Sequence, residues 1–432
     1  MKLAAALLCL TATLGPEGAQ RRYPVGAPHA GLPVPGATWA PYHADPEHPL
    51  NRVFRRAFLA ELAPAVVGAA LPSEAPNEPL AARWMLQWRD GTAADARLYG
   101  GDGRQLPRER FDEGEAAALA ADLAALTDAD VSALRARPAL AVLFQHDLLR
   151  LVQRLADDGE DLALVPALLA AARRCALPRE ALLALPDALS SAASTLDSAA
   201  ARAYLTRDNE FREVLRRSTR LFDASRTLLW SRLYLAHPAG LDATASLVDA
   251  ARAGEAIEVP IGTRALLVQG IVAVDELGAP CATALVADLR LQTLANRAGL
   301  SAENPTTSRD GVDFSMLQLE REGLREQVDP IRPGEHGELV EGAREGHHAR
   351  SAYRIVNDDD QDLFRDYGTL KHTTYRAQCT LCHRTTETPE PELGGFPVLR
   401  KHAEPRLAET GRERTTLAEQ QLSAWLARVA AR

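Results

Sequence analysis

Residues 265–294 read ALLVQGIVAVDELGAPCATALVADLRLQTL and carry the clearest strand pattern of the chain. Two runs rich in Val, Ile, Leu and Thr, Ala265–Val274 and Ala282–Leu294, flank the turn sequence Gly278-Ala279-Pro280. β-Rich runs around a short turn of this kind predict a β-hairpin. A third short strand is predicted at Ala256–Ile261, before Gly262-Thr263. We expect residues 251–300 to form a small β-rich subdomain that serves as a scaffold.

Upstream of this subdomain, apolar residues recur at helical spacing. One stripe predicts a long amphipathic helix that ends at Asp157-Asp158-Gly159; its members are Leu140, Phe144, Leu148, Leu151, Val152 and Leu155. Residues 197–234 continue in the same style up to His237-Pro238, where the position before proline disfavours helix. We therefore expect residues 51–250 to form a helical domain. The predicted fold class is mainly α with a small antiparallel β element, an α+β fold.

A second helical pattern begins at Leu50 and has a basic side. Leu50, Val53, Phe54, Ala57, Phe58 and Leu62 form its apolar face. Arg52, Arg55 and Arg56 fall on the other side, and we interpret them as a solvated face rather than a binding site. His146 lies beside the long stripe, and we expect it to be a hydrogen-bonded histidine at the edge of the core rather than a metal ligand.

The flanking segments have different compositions. Residues 1–20 resemble an export signal, because Lys2 precedes the apolar run Leu3–Leu14 and cleavage before Gln20 or Arg21 would follow. A buried N-terminal helix is the alternative. Residues 21–50 contain seven prolines, which predicts an extended arm or a linker. His29, His43 and His48 lie in it, and we expect exposed loop histidines, with metal binding as the alternative. Residues 301–350 are polar and predict a surface linker or loop.

Composition limits the partners of the chain. The net charge is −9 and the pI about 5.7, so there is no general basic field for nucleic acid. Apolar residues make up 46% of the chain, an ordinary globular balance. After removal of the predicted signal we expect no membrane span.

The most specific chemical signal is Cys379-Thr380-Leu381-Cys382-His383. Two thiols three residues apart share one face of a helical turn and match two vinyl groups on one edge of a haem. The next residue, His383, is then placed to bind the iron. The pattern predicts covalent attachment of one haem c per chain, through Cys379, Cys382 and His383.

Two other interpretations of the cysteine pair stay open. A Cys-x-x-Cys pair also occurs in redox disulfides and in zinc sites. Zinc requires four ligands, and no second Cys-x-x-Cys pair exists, since Cys175 and Cys281 are isolated in the sequence. Those two cysteines either pair with each other or remain buried thiols.

Residues 379–383 resemble the attachment motif of c-type cytochromes, and the predicted last helix around Trp425 resembles the closing helix of that small fold. Thr416 and Glu419 form a capping-box signature for this helix. Its apolar face, which would cover the haem, consists of Leu422, Trp425, Leu426 and Val429. The resemblance concerns the segment 351–432 and implies a haem-binding unit there.

The chain departs from the usual cytochrome pattern at the sixth iron position. No methionine follows Met316, so a methionine ligand from within residues 351–432 is excluded. The candidates are His402, which lies beyond the loop Gly394-Gly395-Phe396-Pro397, then His372, or a histidine of the polar segment such as His347 or His348. An open iron is the remaining alternative.

Haem attachment and export support each other, because covalent haem is normally attached outside the cytoplasm. The sequence therefore predicts a periplasmic or extracellular electron-transfer protein with a redox partner protein. The alternatives are a haem enzyme or gas sensor with an open distal site, and a structural secreted protein whose cysteine pair is a disulfide or zinc site.

Overall fold

The structure is a computed structural model that describes part of the chain. The described residues are 40–58, 60–62, 87–88, 98–100, 111, 113–159, 162–194, 196, 198–214, 228–253, 259–294, 312–319, 321–326, 353–355 and 411–430. Helices and an antiparallel sheet bury their apolar side chains in one shared core, which confirms the predicted α+β class.

The helices follow the predicted periodicity over most of residues 113–210. The α-helices are α1 (Pro49–Phe58), α2 (Glu113–Ala124), α3 (Asp128–Arg135), α4 (Pro138–Asp158), α5 (Val165–Arg174), α6 (Arg179–Leu183), α7 (Ala188–Ala193), α8 (Ala199–Glu210), α9 (Leu241–Ala253), α10 (Arg321–Glu326) and α11 (Gly411–Ala430). A 3₁₀ turn, Leu162–Leu164, precedes α5.

Helix α4 is the long helix predicted from the apolar stripe. Pro138 occupies its first turn, where a missing N–H costs nothing. It ends at Gly159, whose φ of 72° is the left-handed cap conformation that glycine adopts readily. The side-chain amide of Gln145 exchanges two hydrogen bonds with the backbone of Val274, at 2.7 and 2.8 Å. The middle of α4 is therefore fixed to the sheet.

Two antiparallel sheets are present among the described residues. The larger sheet has the order β4-β5-β6-β7-β8-β9, in which each strand pairs with its neighbour along the chain. Its strands are β4 (Arg212–Val214), β5 (Leu229–Ala236), β6 (Arg264–Val274), β7 (Pro280–Leu294), β8 (Val312–Leu319) and β9 (Tyr353–Ile355). The smaller sheet has the order β1-β3-β2, from β1 (Ala60–Leu62), β2 (Gln87–Trp88) and β3 (Leu98–Gly100).

The β6–β7 hairpin confirms the prediction from residues 265–294. Its turn includes Gly278 at a φ of 83°. The ladder shifts register at Gly270, where the indole of Trp230 lies so close that an added Cβ would come within 2.1 Å of its ring. The Trp230 Nε1 donates to the Thr283 carbonyl at 2.8 Å. Glycine is required at position 270 because the tryptophan ring occupies the space of a side chain.

Several secondary-structure predictions were wrong. Leu62, expected on the apolar face of the helix that begins near Leu50, lies in β1, because α1 ends at Phe58. Residues 229–236, expected to be helical, form β5; Trp230 and Tyr234 favour a strand, and the pairing with β6 overrides the helical pattern. Residues 312–319, expected within a polar surface segment, form β8, whose Met316 and Leu317 are buried in the core. Of the predicted strand 256–261, the described residues 259–261 lie outside the sheet, because the chain turns at Gly262.

Helix α11 confirms the predicted last helix but not its start or its packing. It begins at Gly411, so the Thr416–Glu419 pair lies inside the helix and does not cap it. Its apolar residues, Ala418, Leu422, Trp425 and Val429, are buried where the helix packs on β5, β6 and β7. The face that was expected to cover a haem therefore covers the sheet.

Candidate functional site

The residues predicted to hold haem, Cys379, Cys382, His383 and His402, lie outside the described residues, as do His372, His347 and His348. His347 and His348 precede β9, which pairs with β8. The others fall along the chain between β9 and α11, which packs on the neighbouring strands. Both ends of the predicted haem segment thus belong to the same α+β fold as the helices upstream.

The described part of the chain contains a buried charged cluster that the sequence did not predict. The guanidinium of Arg321 donates from Nε to Asp147 Oδ2 at 2.6 Å and from Nη2 to Asp147 Oδ1 at 2.5 Å. The hydroxyl of Tyr42 also donates to Asp147 Oδ2. The guanidinium lies 4.6 Å from the centre of the Phe54 ring. The cluster joins three elements: the loop before α1, α4 and α10.

Ionisation in this cluster is fixed by the mutual contacts. Burial raises the pKa of Tyr42 well above its usual value, and the nearby Asp147 carboxylate raises it further. Burial opposes the charge on Arg321, but Asp147 and Tyr42 outweigh that effect and raise its pKa. Because Asp147 accepts hydrogen bonds from both partners, the cluster is built as a structural clamp and not as a proton-transfer site. We refer to Tyr42, Asp147 and Arg321 as the buried clamp.

His146 precedes the clamp aspartate in α4 and is fully enclosed. Its Nδ1 has no hydrogen-bond partner, and only 6% of the residue is exposed. Burial, with smaller effects from Arg150 and Arg321, lowers its pKa well below the usual value. The expectation of a hydrogen-bonded histidine at the core edge was therefore wrong, since His146 is a neutral core residue with one unpaired nitrogen.

The loop Ala40–His48, which we call the histidine loop, is organised around Asn51 of α1. The Asn51 side chain is completely buried and accepts from the N–H groups of Tyr42 (2.8 Å) and His43 (3.1 Å). Its Nδ2 donates to the carbonyls of His43 (2.8 Å) and Asp45 (2.6 Å). One side chain thus holds residues 42–45 of the loop, so the last residues of the predicted extended arm form a compact turn.

Two histidines of this loop stack on each other. The rings of His43 and His48 are 3.8 Å apart between centroids and 22° from parallel. His48 Nε2 lies 3.2 Å from Asp130 Oδ1 in the first turn of α3. The expectation of exposed loop histidines was wrong for His48, because only 15% of its side chain is exposed.

The basic side of α1 also has specific partners. Arg52 Nε and Arg56 Nε bind the two carboxylate oxygens of Asp122 in α2, at 2.7 and 2.6 Å. The side chain of Asp122 is only 9% exposed. Arg55 donates to the Pro46 carbonyl in the histidine loop at 2.5 Å. The predicted solvated face is therefore a set of ion pairs that join α1 to α2 and to the loop.

A polar row crosses the larger sheet. Ser231, Gln269, Asp288 and Gln318 lie opposite one another on four successive strands. Two buried polar atoms on this side of β7, Asp288 Oδ1 and Gln292 Nε2, have no hydrogen-bond partner. The Nε2 of Gln269 donates to Ser231 Oγ at 3.1 Å. Periodicity alone did not predict this row.

The two cysteines within the described residues are buried free thiols. Burial raises the pKa of Cys175 to about 12, and burial also raises the pKa of Cys281. Since the thiolate is the reactive form, neither side chain is prepared for redox chemistry. Of the two alternatives that the sequence left open, the structure shows unpaired buried thiols.

Three of the four described histidines are poorly arranged to bind a metal through Nε2. His43, His48 and His237 each accept a backbone N–H at Nδ1, at 3.1, 3.3 and 3.0 Å. A neutral imidazole that accepts at Nδ1 carries its proton at Nε2, whereas a ligating histidine normally donates from its second nitrogen. Within the described ranges, no three His, Cys, Asp or Glu side chains lie close enough to hold a metal ion.

None of the helices that the structure describes combines the length and the hydropathy required to cross a bilayer. Comparisons with protein-family models, with curated proteins and with solved structures found no match to this chain.

Proposed function

We propose that the protein is an exported, single-haem c-type electron-transfer protein. The observation that carries this proposal is the pentapeptide 379–383, in which two thiols and an imidazole have the spacing of a haem attachment site. The donor set fits the group. The thiols of Cys379 and Cys382 would add across the two vinyl groups, each forming a C–S bond while its hydrogen goes to the other vinyl carbon. His383 would bind the iron.

The environment of the other cysteines supports an assignment to this pair. Cys175 and Cys281 are buried and have raised pKa values, so they are unsuited to attack a vinyl group. Cys9 lies in the predicted export signal. Cys379 and Cys382 remain as the pair available for covalent attachment.

His402 is the proposed sixth ligand. Met316 is 1% exposed in the core at β8, which makes a thioether ligand from that position unfavourable. The hydrogen bonds at Nδ1 of His43, His48 and His237 disfavour those histidines as well. Two imidazole ligands would fill the iron and suit transfer of one electron to a partner protein.

The test is an absorption spectrum of the full chain produced with a haem-maturation system. We expect sharp bands in the reduced form that survive acid–acetone extraction and that are lost in Cys379→Ser. Unchanged haem content in Cys379→Ser would overturn the attachment. If the reduced protein binds carbon monoxide, the iron has an open site. The proposal of a six-coordinate electron carrier would then give way to that of a haem enzyme or gas sensor.

A further inference from the structure

We propose that the histidine loop is a pH-sensitive latch, which opens when His43 takes up a proton and thereby loosens the attachment of Tyr42 to the domain. The proposal is independent of the haem assignment. It rests on the hydrogen bonds of His43, on the ring that faces it and on the connection through Asn51 to the buried clamp.

The first observation behind the latch is that His43 accepts a hydrogen bond. Its Nδ1 accepts the N–H of Asp45, two residues further along the chain, at 3.1 Å. A protonated imidazole carries hydrogens on both nitrogens and cannot accept. Proton uptake therefore places two N–H groups against each other and removes a hydrogen bond that closes the turn.

The second observation is the distribution of charge around the His43 ring. The His48 ring stacks 3.8 Å away and is bonded to Asp130 of α3. Arg52 and Arg55 of α1 donate to the loop carbonyls of Glu47 and Pro46, which adds positive charge to the loop. The acidic groups are Asp45 and Glu47 in the loop and Asp130 and Asp122 beyond it. Arg52 and Arg56 already bind Asp122, and Arg55 binds Glu47, so Asp45 and Asp130 are the acidic groups that offset part of the cost of a His43 cation.

The balance of these effects sets the direction of the pH response. Burial lowers the pKa of His43, the neighbouring His48 lowers it further, and Asp45 and Asp130 offset only part of the shift. The open loop has the ordinary histidine pKa of about 6.5. As the pH falls below that value, the open loop binds a proton that the closed loop excludes. The opening equilibrium then rises as the pH falls, by at most about tenfold per pH unit, until the pKa of the closed loop is reached.

The third observation is a set of hydrogen bonds that connects His43, through Asn51 and Tyr42, to the buried clamp. Asn51 Oδ1 holds the N–H of His43 and also that of Tyr42, whose hydroxyl is bonded to Asp147 in the clamp. Loss of the turn at His43 therefore weakens the backbone anchor of Tyr42.

The experiment is amide hydrogen exchange on the full chain at about pH 7.5 and about pH 5.5, on either side of the ordinary histidine pKa, corrected for the intrinsic exchange rate. We expect protection of residues 42–51 to fall at the lower pH by up to about tenfold more than protection of the α4 amides, whose own loss reports the fall in global stability linked to His146. The variant His43→Asn retains an acceptor for the Asp45 N–H but does not titrate. It should show no pH step.

His237→Asn is the matched control, because His237 also accepts a backbone N–H at Nδ1 but lies outside the loop; it should behave like the natural chain. An equal step in His43→Asn, no step in the natural chain, or a loss of protection in residues 42–51 no larger than that in α4 would each overturn the latch. If His43→Asn does not fold, the latch is tested instead by titrating the His43 ring in the natural chain, followed by NMR. The ring must titrate at the pH where the loss of loop protection levels off, and a ring that titrates at the ordinary histidine pKa would overturn the proposal.

Discussion

Asp147 and Arg321 are 174 positions apart in the sequence, yet they form a two-point ion pair in the interior. Their side chains are 3% and 6% exposed. Through Tyr42 the pair also holds the loop that leads into α1. The clamp therefore fixes the position of α10, which directly follows β8, against the middle of α4.

Removal of one partner of this pair should be costly. We expect Arg321→Met to lower the free energy of unfolding by about 3–5 kcal/mol, because a buried carboxylate loses its counter-charge. The measurement is urea denaturation followed by circular dichroism. The double variant Asp147→Leu/Arg321→Met should recover most of the loss, since no charge is left unpaired. Equal destabilisation in both variants would show that packing, rather than the charge, dominates at this position.

The bulge at Gly270 gives a second prediction. Gly270→Ala should lower the free energy of unfolding by about 1–3 kcal/mol or more, because the new methyl group would collide with the Trp230 indole. The measurement is thermal unfolding combined with near-ultraviolet circular dichroism of the tryptophan. Gly278→Ala is a useful contrast, because nothing lies within 4 Å of its added Cβ and only its φ of 83° is strained. A Trp230 signal that is unchanged in Gly270→Ala would contradict the close approach.

The enclosed His146 predicts how stability depends on pH. Its pKa in the folded state is lowered, whereas the unfolded chain has the ordinary value of about 6.5. Below that pH the unfolded state binds a proton that the folded state excludes, so stability is lost as the pH falls. One such group contributes a slope of about 1.4 kcal/mol per pH unit.

His146→Leu should remove this contribution, and His237→Leu should keep it. The free energy of unfolding is measured from urea curves between about pH 7 and about pH 5, the range that begins at the ordinary histidine pKa. A slope that is the same in His146→Leu and in the natural chain would show that His146 is protonated in the folded state.

Variants in α11 can distinguish whether this helix packs on the sheet or covers a haem. Leu422 is fully buried where α11 meets the sheet, so Leu422→Ala should cost about 2–5 kcal/mol of stability. The haem spectrum of the folded variant should not change. Ser423→Ala on the exposed side of the same helix is the control and should leave both properties intact. A haem spectrum that shifts in Leu422→Ala but not in Ser423→Ala would show that α11 covers the haem.

Local patterns explain what the sequence could predict. The β6–β7 hairpin has two β-rich runs around a glycine turn, and α4 has an unbroken apolar stripe, so both were found. Strand β8 was missed because its short apolar run lies in a polar region, and it becomes a strand only by pairing with β7. The clamp was missed because its three residues lie in separate elements, and no spacing relates them. His146-Asp147 within the apolar face of α4 was the one available signal.

The evidence for haem differs from the evidence for the clamp, because it is a spacing within five consecutive residues, 379–383. The measurement that tests it most directly is the intact mass of the full chain after expression with haem-maturation machinery. The account predicts a mass increase of one haem that survives denaturation and is absent from Cys379→Ser/Cys382→Ser. A natural chain that carries no added haem under conditions where a known c-type cytochrome is fully loaded would contradict it.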